Sequence, residues 1–302
     1  MGPFGLRPAP ASAHAVYALP HFQRVPRAAE EERVRVQQGQ VGLELIVDET
    51  LASVYLRNSS GEDAGGPSVW DALAVPVLAL PMTRPRVLIL GLGGGTVARL
   101  LRRLKPEAIL VGVEMDGEVI AAAKEFFDLE ALQVEVVHQD GLAFLREEKR
   151  HFDLIIDDIF VGYARNLRKP RWLPWPGLRL ARRRLRPGGL LVSNALEDAK
   201  YIQQGLQGWK RALLQLEVPD YANRILVAGP SQRIAQLETA APNFRCSRPG
   251  RVLWTTPRFL KESRFLRLSR VALSLAAGFL LRWPDKRRGL KSRSAGCSGG
   301  GR

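Results

Sequence analysis

The chain has 302 residues, 46% hydrophobic and 25% charged, with a formal net charge of +15. That is room for one large α/β domain and a smaller unit. Two distant cysteines, Cys246 and Cys297, and four histidines without ligand spacing argue against a disulfide framework and predict no metal site.

The charge is local. From Arg245 onward there are 15 Lys or Arg against Glu262 and Asp285, so the body is close to neutral. Residues 1–30 are predicted to be a flexible N-terminus; 1–29 contain no acid and no apolar run of secretory length. The expected compartment is the cytoplasm, with an organelle transit peptide as the alternative. Residues 31–82 read as a small β-rich unit, with strands around Arg33–Val36, Leu43–Val47 and Ser53–Leu56. A loop at 58–67 and a helix over 68–80 capped by Ser68 follow.

Residues 83–230 alternate β and α, the pattern of a doubly wound, mostly parallel sheet. Strands are predicted at Val87–Leu90, Ile109–Glu114, Val134–Val137, Phe152–Ile156, Leu190–Asn194 and Arg224–Ala228. Helices are predicted after Thr96, over Asp116–Phe127 with Phe126 and Phe127 inward, around Leu142–Leu145, near Leu178–Leu185, and over Tyr201–Leu216. Residues 231–302 read as a basic extension, disordered in part, that docks on an acidic partner. Its apolar centre, Val271–Leu281, is too short to span a membrane, and neither a membrane nor nucleic acid is the expected partner.

The chemistry centres on residues 86–95, a buried-type strand followed by Gly91-Leu92-Gly93-Gly94-Gly95. Glycines there let the backbone turn sharply and approach a ligand. Ligands of doubly wound sheets sit outside the carboxyl ends of the strands. Glu114 ends the second strand about 20 residues on, where a carboxylate can accept from ribose hydroxyls. Asp140 ends the third, placed to read an adenine amino group, and Asp157 and Asp158 end the fourth, nearest the reacting end. Thr96 stands where a dinucleotide fingerprint wants glycine, which leaves a mononucleoside site.

The glycine stretch, together with the runs Val-Gly-Val-Glu-Met-Asp, His-Gln-Asp-Gly, Phe-Asp-Leu-Ile-Ile-Asp-Asp and Leu-Arg-Pro-Gly-Gly-Leu-Leu-Val, resembles the S-adenosylmethionine domain of the spermidine synthase superfamily. The resemblance covers roughly residues 33–230 and implies a class I methyltransferase fold. It implies that Gly91, Gly93 and Gly95 line the methionine and ribose end, that Glu114 binds ribose, and that Asp140 binds adenine. Met115 and Gly141 complete that cofactor set. Asp158, with Asp157, falls at the acid that holds or deprotonates an attacking amine. Trp70, Asp71, Ile159 and Phe160 are the substrate-side candidates, and a homodimer is implied.

The departures are specific. Gly94 stands where aminopropyltransferases have aspartate, and Asp158-Ile159-Phe160-Val161-Gly162 lacks the second acid and the proline of their strand-four motif. A diamine carries two charges that need carboxylates on desolvation. From Gly162 to Arg186 there are nine Lys or Arg and no acid, a lid whose sign disfavours a polycation. The sequence therefore reads as methyl transfer from S-adenosylmethionine to an unidentified small-molecule or protein acceptor. The alternatives are aminopropyl transfer from decarboxylated S-adenosylmethionine, and a non-catalytic nucleoside-binding module with a basic docking tail.

Overall fold

A computed structural model describes residues 32–40, 42–55, 68–207, 209, 212–219, 221–242 and 244–247. The readings for residues 1–30, for the loop at 58–67 and for the basic stretch beyond Ser247 lie outside these. A three-stranded antiparallel sheet comes first: β1 (Val34–Gln38), β2 (Leu43–Val47) and β3 (Thr50–Tyr55). Asp48 and Glu49 form the β2–β3 turn, both with positive φ. Helix α1 (Val69–Ala74) begins at a capping box in which Ser68 and Asp71 bond each other reciprocally. It ends early because Pro76 opens a 3-10 turn over Val75–Ala79.

The large sheet contains β4 (Arg86–Leu90), β5 (Ile109–Glu114), β6 (Val134–His138), β7 (Phe152–Asp157), β8 (Leu185–Ala195), β9 (Ala212–Glu217), β10 (Arg224–Gly229) and β11 (Arg245–Ser247). Its order is β11-β9-β10-β8-β7-β4-β5-β6. The five strands from β8 to β6 run parallel, and β10, β9 and β11 add an antiparallel wing. Crossover helices are α2 (Thr96–Leu104), α3 (Gly117–Phe126), α4 (Gly141–Glu147) and α5 (Gly177–Arg184). Helices α6 (Ala199–Gln207) and α7 (Ser231–Ala240) serve the antiparallel wing.

Core strands β4 and β7 explain the architecture. Val87–Leu90 and Phe152–Asp157 are buried at every position, as strands covered by helices on both faces must be. One face packs Val87, Ile89, Leu154, Ile156 and Val192 under α1 and α2. The other packs Leu88, Leu90, Phe152, Ile155 and Leu191 under α4, α5 and α6. Strand order reverses at β4, between β5 and β7, the switch point beyond Leu90 at which sheets of this kind place their ligand crevice.

Four expectations are corrected. The helix predicted over Tyr201–Leu216 is α6 followed by strand β9: Leu213, Leu214 and Leu216 are buried between β10 and β11, a pairing that a local pattern does not carry. The basic extension does not begin at residue 231, because α7 and β11 continue the fold to Ser247. The strand predicted at Leu190–Asn194 begins earlier, at Leu185, so that Pro187-Gly188-Gly189 lies inside β8, where Gly188 (φ 82°) accompanies a register irregularity. Phe127 is buried but Phe126 is exposed, since α3 turns only one of the two inward. Among the described residues, no helix is long and apolar enough to cross a membrane.

Candidate active site

The glycine turn joins β4 to α2 directly above the crevice. Gly91, Gly93 and Gly95 have φ of 82°, 53° and 85°, so a side chain at each would be strained. The turn is fastened by Gly91 and Leu92, whose N–H groups donate to the Val113 carbonyl at 2.9 and 3.1 Å. A Cβ on Gly91 would lie 2.9 Å from the Asp158 carbonyl oxygen, so two backbones meet there with no space between them. Asp158 N–H in turn donates to the Leu90 carbonyl at 2.9 Å. The turn after β4 and the turn after β7 are one structure.

Glu114 closes β5 beside it. Its Oε2 accepts from Gly93 N–H at 3.0 Å, and its Oε1 from Met115 and Asp116 N–H at 2.9 and 3.1 Å. Burial pushes the Glu114 carboxyl up, and these three amides pull the other way. Met115 projects beside it at 62% exposure, a large apolar side chain with little protein cover. Asp116 caps α3 and pairs with Arg33, which holds its carboxyl below the usual range.

Asp140 caps α4 through a single oxygen, Oδ1, which accepts from Leu142 and Ala143 N–H at 3.0 and 2.9 Å. Gly141 follows, and a Cβ there would fall 2.6 Å from Ile159 Cδ1 and 3.6 Å from the Trp172 ring. Gly141 thus lets two apolar side chains from the lid close on the end of β6. Trp172 is a site residue that strand-end reasoning does not reach, because it is 32 positions beyond Asp140 in an irregular segment.

The acids after β7 divide. Asp158 is half-buried and accepts from Asn194 Nδ2 at 2.7 Å, while Asn223 Nδ2 donates to Asn194 Oδ1 at 2.9 Å and fixes that amide. Burial pushes the Asp158 carboxyl up to about 7; Asn194 and Lys169 lower it, and Asp157 and Glu114 raise it. Asp157 is not brought to the crevice. It is 1% exposed, accepts from Ser193 Oγ at 2.6 Å and from Lys169 Nζ at 3.0 Å, and so supports its neighbour from below. The physical reason is the two-residue period of the strand, which sends consecutive side chains to opposite faces.

The substrate-side candidates separate likewise. Ile159 reaches Gly141, and Phe160 lies under Lys169 Nζ at 4.4 Å from its ring centroid. Trp70 packs partly buried against the core, and the Asp71 carboxylate is taken up by Ser68.

At position 94 the chain has no room for the missing acid. A Cβ would meet Ser53 Cβ at 2.8 Å and Phe127 Cδ1 at 3.1 Å, and Gly94 N–H already donates to Ser53 Oγ at 2.7 Å. Thr96 Oγ1 accepts from Val54 N–H at 3.1 Å and donates to its carbonyl at 2.9 Å. The small sheet is therefore stitched onto the glycine turn. Gly94→Ala is expected to cost about 1–3 kcal/mol by forcing Ser53 and Phe127 apart, seen as a lower urea midpoint with an unchanged slope.

The strand order, the switch-point crevice and the strand-end acids define a Rossmann-like domain of the class I methyltransferase type. A model of the spermine/spermidine synthase domain matches residues 73–225, just over half of the chain, and the chain belongs to that family. A probable polyamine aminopropyl transferase of Bifidobacterium longum is 30% identical over 190 residues, 58% of this chain and 41% of that protein. An eEF1A lysine and N-terminal methyltransferase homolog of Drosophila pseudoobscura pseudoobscura is 36% identical over 77 residues, 24% of this chain and 11% of that one. The chain thus spans well under half the length of these curated relatives. Among solved structures, a probable spermidine synthase from Corynebacterium glutamicum superposes with a TM-score of 0.59 at 18% identity, over 74% of this chain and 95% of that one, a likeness of fold.

Proposed function

We propose that the chain is a transferase moving an alkyl group from an adenosyl sulfonium to a nucleophile held at Asp158. The observation that carries this reading is the contact of Gly91 with the Asp158 backbone, which sets a carboxylate beside a turn stripped of side chains. The residues present suit a nucleoside: exposed Met115 for an apolar face, and an Asp140 bonded through one oxygen alone. When bound, the sulfonium supplies a carbon made electrophilic by the positive sulfur. Glu114 would hold ribose, Asp140 the adenine amino group, and Met115, Ile159 and Trp172 the apolar faces of the base. Asp158 would orient the attacking atom and accept its proton at a carboxylate oxygen.

Support for the group transferred divides. Several of the matched relatives are named polyamine aminopropyltransferases, and on those names aminopropyl transfer from decarboxylated S-adenosylmethionine stands ahead of methyl transfer. The second reading, methyl transfer from S-adenosylmethionine, is favoured by the closed wall at Gly94, where Ser53 and Phe127 leave no place for a carboxylate to hold an aminopropyl ammonium. Thermal stabilisation by each cofactor, followed by a putrescine assay, separates them. Selective response to the decarboxylated form with spermidine as product establishes aminopropyl transfer. Selective response to the intact form without spermidine establishes the methyl reading. No stabilisation by either overturns the sulfonium site itself.

A further inference from the structure

The segment after β7 contains a buried cation with no counterpart in the chemistry assigned so far. Lys169 is 6% exposed, and its ammonium has three oxygen partners on a single turn. Nζ donates to Asp157 Oδ1 at 3.0 Å and to the Ile159 carbonyl at 2.9 Å, with the Asp157 carbonyl at 3.5 Å. The Phe160 ring closes its remaining side. Its own backbone N–H donates to Asp198 Oδ2 at 2.7 Å, which anchors it to the turn between β8 and α6. A pair of bonds between Val161 and Arg168, at 2.9 and 3.0 Å, closes the intervening segment into a loop. Residues 157, 159 and 160 all contact Lys169 directly, whereas the Asp158 carboxylate between them takes its hydrogen bond from Asn194.

We propose that Lys169 is a positioning residue: by gripping the turn on both sides of Asp158 it fixes the direction in which that carboxylate meets the acceptor. The grip rests on the reading of Asp158 as the acceptor-side acid. An ammonium held this way has lost its water and is stable only because its partners are fixed. A proline would stiffen such a turn from within; Asp158-Ile159-Phe160-Val161-Gly162 holds none, and the stiffness comes from across the loop. Four groups act on the Asp158 carboxylate: Asn194 from β8 through a hydrogen bond, and Lys169 from the lid, Asp157 from β7 and Glu114 from β5 through their charges. Lys169 is the sole cation among these four, so its removal also leaves Asp158 harder to ionise.

The test uses the full chain with Lys169→Met and the double variant Asp157→Asn/Lys169→Met, which removes both charges together. Asp158 is followed by carbon NMR of its carboxyl, assigned by its loss in Asp158→Asn. The expected half-titration of Asp158 rises by about one pH unit in Lys169→Met and returns towards the parent value in the double variant. In that double variant kcat is expected to fall about tenfold or more, with KM for the sulfonium substrate within about twofold of the parent. Should Lys169→Met fail to fold, amide exchange of Asp158 and Ile159 in the double variant decides: about tenfold faster exchange supports the grip, and unchanged exchange overturns it. An Asp158 titration that moves in neither variant overturns the proposal, as does a KM that rises in step with the loss of kcat. If no acceptor is ever alkylated, the transferase reading fails, while the titration still decides the part played by Lys169.

Discussion

Asp158→Asn is expected to lower transfer by about a hundredfold or more while raising the melting temperature at pH 8. The two effects have one cause. The carboxyl is pushed up to about 7 in the folded chain, mainly by burial, against about 3.9 when unfolded. A raised acid stabilises the fold fully below the unfolded value and loses that contribution as pH rises through the folded one. Above pH 7 the parent therefore keeps a charge in a poorly solvated place. An asparagine there still offers Oδ1 to Asn194 and has no charge to desolvate. Melting curves of parent and variant should be well separated at pH 8 and converge towards pH 5. The rate of the parent should fall about tenfold per pH unit below 7 as the carboxylate protonates. A variant that melts below the parent at pH 8 would show that the burial of Asp158 is not what strains the site.

Glu114→Gln should weaken nucleoside binding more than any other single-atom change in the crevice. Both carboxylate oxygens accept, one from Gly93 and the other from Met115 and Asp116. Whichever way a glutamine amide is placed, its NH2 faces a backbone N–H, and at least one donor is left without an acceptor: Gly93 in one orientation, Met115 and Asp116 in the other. Bonds to a charged group are worth about 1.5–3 kcal/mol, so affinity for S-adenosylhomocysteine should fall roughly ten- to hundredfold. Calorimetric titration checks this, and a dissociation constant within about twofold of the parent would remove Glu114 from the binding site.

The parts of the site that are legible in the sequence are those that one strand and its following turn decide together. An apolar run ending in Gly91 or Glu114 states both the element and the side on which its last residue emerges. Contacts between distant segments leave no such trace. Ser53 meets Gly94 across 41 positions, and Lys169 meets Asp157 through a loop with no period. A lone lysine among nine basic residues reads as solvated, yet Lys169 is buried. Strand β9 is hidden for a related reason: its leucines suit a helix as well as a strand until β10 and β11 are in place. Asp157 and Asp158, adjacent in sequence, read as a pair, and the pleat separates them.

The stitching of β3 to the glycine turn joins two events that are far apart along the chain. Ser53 bonds Gly94, and Val54 exchanges two bonds with Thr96. Ordering the turn by a nucleoside and seating the small sheet are then thermodynamically linked, and the linkage is reciprocal. A change that peels the sheet away loosens the nucleoside by the same factor by which the nucleoside holds the sheet down. If the proposed nucleoside site is filled, the N-terminal strands are expected to report its occupancy as slower amide exchange across β3.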